Sequence, residues 1–245
     1  MMKKRWLIWL TVFFLGFGLG NRAGRVPETS EEPPSFSLRS EPTEATQATL
    51  TQTSVELSPE FPCSLRYTSL VVQGLVCYDG PYSEDGSDEE VFGVAALVVE
   101  NTATVGIEYT QIVLTQDGRE LSFDATYIPP RSTILIPESS RAPYSTAAVD
   151  SCRCRTVIPG DFDWSKNRIT LADEGLCSLA VTNLTEETVS CVRIYYKAHL
   201  GREDLYVGGI TYSVTVTDLA PGETRIVTPY RYASGYARVV AVETE

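Results

Sequence analysis

Residues 91–137 read VFGVAALVVENTATVGIEYTQIVLTQDGRELSFDATYIPPRSTILIP, and the alternation of residue types along this run decides the fold class. Val91–Glu100, Ile107–Gln116, Glu120–Thr126 and Thr133–Pro137 are short, rich in Val, Ile, Thr and Tyr, and without helical periodicity. Turn chemistry separates them. Asp117-Gly118 is a two-residue hairpin signal, and Asn101-Thr102 and Pro129-Pro130 break the chain on either side. Working outward, the same texture continues in Leu65–Tyr78, Leu176–Thr182, Val189–Lys197, Ile210–Thr217, Arg225–Thr228 and Ala237–Val242. Strands at this spacing with no helices between them predict an all-β protein of antiparallel sheets packed face to face.

The chain also repeats itself. Val98-Val99-Glu100-Asn101-Thr102 aligns with Ala180-Val181-Thr182-Asn183-Leu184, and Pro130–Pro137 aligns with Pro221–Thr228. Between the two matches the second copy is longer, and the extra residues fall inside His199–Gly209, where they would lengthen a hairpin. Strand, Asn turn, strand, hairpin, Pro turn, strand therefore occurs twice, which predicts two units, 61–157 and 158–245, with Arg153–Arg168 as the boundary. Recurrence of turn residues in unrelated sandwiches is the plainer reading of the same pattern.

A strand ending in Asn before a strand pair and a Pro-Gly turn resembles the Ig-like modules of bacterial surface proteins, of the CARDB or FxLYD sort. The matching positions are Asn101, Asn183 and Pro221-Gly222, with Pro130-Arg131 departing from the glycine. The stretch GGITYSVTVTDLAPGET also resembles secreted proteins of clostridial bacteria. The resemblance spans Val91–Pro137 and Leu176–Glu245, and it implies tandem Ig-like β-sandwiches with an adhesive or scaffolding role and no catalytic residues.

The N-terminus supplies an address. Lys3, Lys4 and Arg5 precede an apolar run, Leu7–Gly20, and the sequence then turns polar, which is the order of a secretory signal. Its fourteen residues, all but Thr11 apolar, suit a signal and fall short of the roughly 20 that cross a bilayer comfortably. Residues 1–24 are expected to be either a cleaved signal or a retained anchor, and the membrane is touched only through residues 7–20 if cleavage fails. Residues 25–60 hold 24 Pro, Glu, Ser and Thr in 36 positions, too little apolar surface to offset the entropy of ordering. They are expected to be a disordered linker spanning on the order of 35 Å.

A net charge of −12 repels phosphate backbones and removes nucleic acid as a partner. With one histidine, His199, expected in a polar loop, most histidine-based catalysis lacks its parts. No nucleophile elbow, P-loop, dinucleotide fingerprint or zinc-protease motif is present, so no catalytic residue, cofactor or metal is assigned. A pair of carboxylates for glycoside hydrolysis would leave no sequence trace, so a carbohydrate-active enzyme stands as an alternative.

Four features carry two readings each. Cys63, Cys77, Cys152, Cys154, Cys177 and Cys191 are an even set in an exported chain, which predicts disulfides, with free thiols or zinc as the other readings. Glu84–Glu90 concentrates five carboxylates, either a solvated acidic loop or an oxygen-rich calcium loop. Asn183-Leu184-Thr185 is a glycosylation sequon on the repeated Asn turn. Tyr230, Arg231, Tyr232 and Tyr236 interleave aromatics with a guanidinium, either cross-strand packing or a partner-binding surface. The expected protein is thus a non-catalytic module at the cell surface, presenting β-sandwich domains to a protein or glycan. An extracytoplasmic accessory subunit of a membrane complex is the further alternative.

Overall fold

The computed structural model describes residues 59–160, 168–201 and 204–245, so the expected signal, almost all of the expected linker and part of the expected boundary segment lie outside it. Among the described residues there are strands and no helices, in agreement with the all-β expectation. The strands are β1 (Cys63–Ser64), β2 (Leu70–Tyr82), β3 (Glu89–Asn101), β4 (Gly106–Gln116), β5 (Arg119–Ile128), β6 (Ser132–Pro137) and β7 (Val149–Gly160). There follow β8 (Ile169–Glu174), β9 (Ser178–Asn183), β10 (Val189–Leu200), β11 (Leu205–Leu219), β12 (Thr224–Val227) and β13 (Ala237–Thr244). Most of β7 falls where the sequence reading placed a boundary, and β8 begins just after it. Arg153–Gly160 is strand because Cys152 and Cys154 turn toward the core opposite Leu114 and Ile112, while the intervening arginines face water.

Three sheets form: β1-β2-β3-β6-β11-β10-β13, β5-β4-β7 and β12-β9-β8. The order β2-β3-β6 beside β5-β4-β7 recurs as β8-β9-β12 beside β11-β10-β13. Parallel pairing of β11 with β6, Leu205 to Thr133 through Val207 to Leu135, joins a sheet of one half to a sheet of the other. The β11 residues that make this junction belong to the His199–Gly209 insertion.

Two cores result. The first gathers Leu70 and Val72 of β2, Leu97 and Val99 of β3, Ile134 and Ile136 of β6, and Ile112, Leu114 and Phe123 from β4 and β5. The second gathers Leu179 and Val181 of β9 with Val192, Ile194 and Tyr196 of β10 and Val216 of β11. Successive side chains alternate faces. Tyr195, between Ile194 and Tyr196, accordingly packs on the first core and stacks on Tyr127 with ring centroids 4.5 Å apart. The β5-β4-β7 sheet thus covers one face of the long sheet, and β12-β9-β8 covers the other face further along.

The repeat is most exact at its two asparagines, both fully buried. Asn101 Nδ2 donates to the carbonyls of Val105 (2.9 Å) and Pro129 (3.1 Å), and its Oδ1 accepts the Ala103 N–H. Asn183 Nδ2 donates to Glu187 (2.8 Å), Leu219 and Ala220, and its Oδ1 accepts the Thr185 N–H. Each side chain ties its own turn to the residue before the Pro turn. The sequon at Asn183 is therefore no glycan acceptor in the folded chain, because the amide nitrogen is buried and its protons are committed.

Candidate functional site

The insertion that lengthens β10 and β11 does not pair evenly. Ala198 faces Val207 and Tyr196 faces Tyr212, which leaves the four residues Gly208–Thr211 opposite Lys197 alone. A bulge of this size takes carbonyls out of the ladder, and buried carbonyls need donors. Lys197 supplies them: Nζ donates to the carbonyls of Gly208 (3.1 Å), Gly209 (2.9 Å) and Ile210 (2.5 Å). Three acceptors require three N–H groups, which the ammonium has and the neutral amine lacks. The side chain is fully buried. Burial pushes its pKa down while the charge of Glu84 pulls it back up.

Glu84 reaches the same bulge from the β2–β3 loop. Its Oε1 accepts the Gly209 N–H at 2.7 Å. Burial pushes this carboxyl up to about 7, against the lowering effect of the Gly209 and Ile210 amides and of Lys197, and Asp124 adds to the rise. Glu84, Tyr109, Asp124, Ala125, Thr126, Ser139, Gly209 and Ile210 line a cleft of about 190 Å³. Asp124 accepts from Tyr109 Oη (2.6 Å), Gln111 Nε2 (3.1 Å), Ser122 Oγ (3.3 Å) and Ser139 Oγ (2.8 Å). β5 passes so close to β11 that a Cβ on Gly209 would stand 1.8 Å from the Asp124 carbonyl oxygen.

The acidic loop is not simply solvated. Asp85 and Glu89 both pair with Arg141, at 2.5 and 2.9 Å. Asp88 Oδ2 receives Arg231 Nε at 2.6 Å and the Tyr230 hydroxyl at 3.0 Å. Three of its five carboxylates are thus divided between two arginines, and among the described residues no group of acidic, histidine or cysteine side chains converges on a metal-sized position. Two stretches that the sequence offered as separate candidates, the acidic loop and the Tyr-Arg run, hold each other.

Of the expected partner-binding residues, Tyr230 and Tyr236 are exposed at 51% and 71%, and Arg231 keeps 38% of its side chain in water. Tyr232 is buried, its hydroxyl donating to Asp173. It lies edge-on to Tyr196, which stacks on Tyr212, and Tyr212 meets Tyr230 edge-on, so a column of tyrosines runs from the second core to the surface.

Two expectations are corrected. His199 is a buried strand residue rather than a loop one, because it follows the alternation of β10. It packs against Tyr206 and sits 3.3 Å from Asp204, with burial and then Arg238 lowering its pKa. The disulfides are not formed: all six cysteines are free. Cys152 and Cys154 stand two apart on one face of β7, Cys77 is exposed on β2, and Cys177 is exposed in the turn between β8 and β9. Burial and the neighbouring Cys63 and Cys154 push the Cys152 thiol up to about 12.

Lys197, Glu84 and Asp124 escaped the sequence reading as a group. The available signal was a lysine inside the apolar run Val192–His199 and a Gly-Gly pair opposite it. Comparison with family models, with curated proteins and with solved structures finds no match.

Proposed function

We propose that the chain is a non-catalytic module exported to the cell surface, built of two tandem Ig-like β-sandwiches, which binds a protein or glycan through Tyr230, Arg231 and Tyr236. The observation that carries this reading is an anchored aromatic surface. Tyr230 and Tyr236 are exposed, yet Tyr230 and Arg231 are both tied to Asp88, and Tyr230 rests on the tyrosine column. Aromatic and arginine side chains fixed before binding lose little entropy on contact, which is what recognition hot spots need. The basic and apolar start of the sequence supports export. The β6–β11 junction supports a structural role, because it couples the halves through a shared sheet.

A glycan array, and intact cells with and without protease treatment, test this with labelled full-length protein. Wild type is expected to bind one of the two, and Tyr230→Ala/Tyr236→Ala to bind at least tenfold more weakly. Equal binding by both proteins overturns the reading.

The cleft favours a second reading, a carbohydrate-active enzyme, because Glu84 with its raised pKa and Asp124 are carboxylates of different environment on one wall. Release of reducing ends from a polysaccharide, lost in Glu84→Gln, would establish it in place of the first. The four donors already on Asp124 argue against that outcome.

A further inference from the structure

The hydroxyl protons in the wall of the cleft beside the β11 bulge are all spent within the protein. Tyr109 Oη and Ser139 Oγ both donate to Asp124, at 2.6 and 2.8 Å. The Thr126 hydroxyl donates to the Gly209 carbonyl (3.2 Å) or to Thr211 Oγ1 (2.8 Å), because the Thr211 proton goes to the Thr126 carbonyl. A hydroxyl carries one proton and two lone pairs, so these three groups can offer a ligand only lone pairs. The Gly209 N–H is taken in the same way, by Glu84 Oε1 at 2.7 Å. Asp124 and ionised Glu84 are acceptors as well. The polar side chains of the cleft are therefore acceptors throughout.

Its charge is equally one-sided. Among the described residues neither Glu84 nor Asp124 forms an ion pair, and the arginines around the acidic loop are taken by Asp85, Asp88 and Glu89. Lys197 acts on Glu84 through space, but its N–H groups are held by three carbonyls. Two carboxylates beside one ammonium leave a negative charge over, and burial has stripped much of the water that would otherwise offset it at Glu84. Tyr109, Ala125 and Ile210 make the apolar part of the wall. At about 190 Å³ the cleft is larger than the roughly 150 Å³ cavity that accepts a benzene ring.

We propose that this cleft binds a small organic monocation, a protonated amine or guanidinium head on an apolar body about one ring in size, with the head between Glu84 and Asp124 and the body against Tyr109 and Ile210. A head that only donates meets a wall that only accepts, and its single charge balances the one left over. A sugar hydroxyl both donates and accepts, so part of its hydrogen-bonding capacity would be buried unmet. An anion would face two like charges. The site requires neither binding at the Tyr230 surface nor glycoside hydrolysis.

Amide NMR of the full-length protein at pH 8 tests this with three probes of one shape: benzylamine as the cation, benzyl alcohol as the neutral form and benzoate as the anion. Benzylamine is expected to shift the Ala125, Ser139, Gly209 and Ile210 amides saturably, at least tenfold more tightly than benzyl alcohol, and benzoate to leave them in place. Equal binding of amine and alcohol, or no saturable shift at tens of millimolar amine, overturns the proposal. Glu84→Gln, which removes a charge and can still accept the Gly209 N–H, is expected to weaken benzylamine at least tenfold, and unchanged affinity overturns it too. Should the variant misfold, the three probes on wild type decide alone. Tyr230→Ala/Tyr236→Ala is expected to bind benzylamine as wild type does; loss there would put the amine on the partner surface and overturn the cleft. A free amine and the lysine of a partner protein carry the same head. Tighter binding of Nα-acetyl-lysine amide than of benzylamine assigns the cleft to a partner's lysine, and the reverse order assigns it to a free amine.

Discussion

The connection between β4 and β5 takes two residues, Asp117 and Gly118, both at positive φ, and the flanking Gln116 and Arg119 pair directly. Its counterpart in the second half, between β10 and β11, carries the inserted residues instead. Ala198–Leu200 pairs with Leu205–Val207, and the four-against-one bulge follows. The tight turn ends a sheet; the long one extends a strand until it meets β6 and merges two sheets. Thr115, the counterpart of Lys197, bonds only to the Ser151 hydroxyl, and the first half contains no buried cation at that position. An insertion thus created an edge for pairing and, with it, a set of unpaired carbonyls that a lysine had to satisfy.

The sharpest way to break this contrast is Gly209→Ala. A Cβ 1.8 Å from the Asp124 carbonyl has backbone, not a flexible side chain, in its way, so β5 and β11 must separate. A loss of about 4 kcal/mol or more is expected in denaturant unfolding, beyond the usual cost of overpacking. A loss below 1 kcal/mol would mean the two strands are not held in register here. Next comes Lys197→Ala, which strands three buried carbonyls and removes the partner of Glu84, at an expected cost of about 3–5 kcal/mol. Thr115→Ala, at the matching place, is expected to cost under about 1 kcal/mol. Similar losses at the two sites would dissolve the distinction.

Where the halves agree, the effects should match. Asn101→Ala and Asn183→Ala each remove a buried amide that closes an Asn turn and holds a Pro turn. About 2–3 kcal/mol is expected for each in thermal unfolding, from the two or more buried partners left unpaired. A large loss at one site and none at the other would show that the sequence match is superficial.

These same asparagines show what sequence could reveal. The all-β class and the repeated order of strands were legible because alternation and turn residues are local signals, and Asn101 and Asn183 recur for a local reason. β7 was missed, since Arg153 and Arg155 disguise a strand whose alternate residues face the core. The junction of β6 with β11 depends on contacts more than 70 residues apart in sequence, which no local pattern encodes. The disulfide expectation failed for a related reason: an even cysteine count carries no geometry, and all six thiols are free. The acidic loop read as solvated or calcium-holding and the Tyr-Arg run as cross-strand packing or a partner surface, and the pairing of Asp88 with Arg231 that joins them is a long-range contact that composition does not encode.

The smallest expected effect tests the one position where the repeat departs from itself. Arg131 and Gly222 occupy the same place in the two Pro turns, at φ 50° and 70°, in the left-handed region. An L side chain there costs roughly 1–2 kcal/mol, whereas glycine avoids that cost but loses more backbone entropy on folding, by roughly 0.5–1 kcal/mol. The two terms nearly cancel, with strain the larger. Arg131→Gly is therefore expected to stabilise by about 0.5 kcal/mol, and Gly222→Ala, with open space around the new Cβ, to destabilise by a similar amount. Opposite signs at equivalent sites would show that the first half tolerates strain the second avoids. Equal signs would mean that Arg131 earns its place through its side chain, and that the corresponding turns differ in more than one residue.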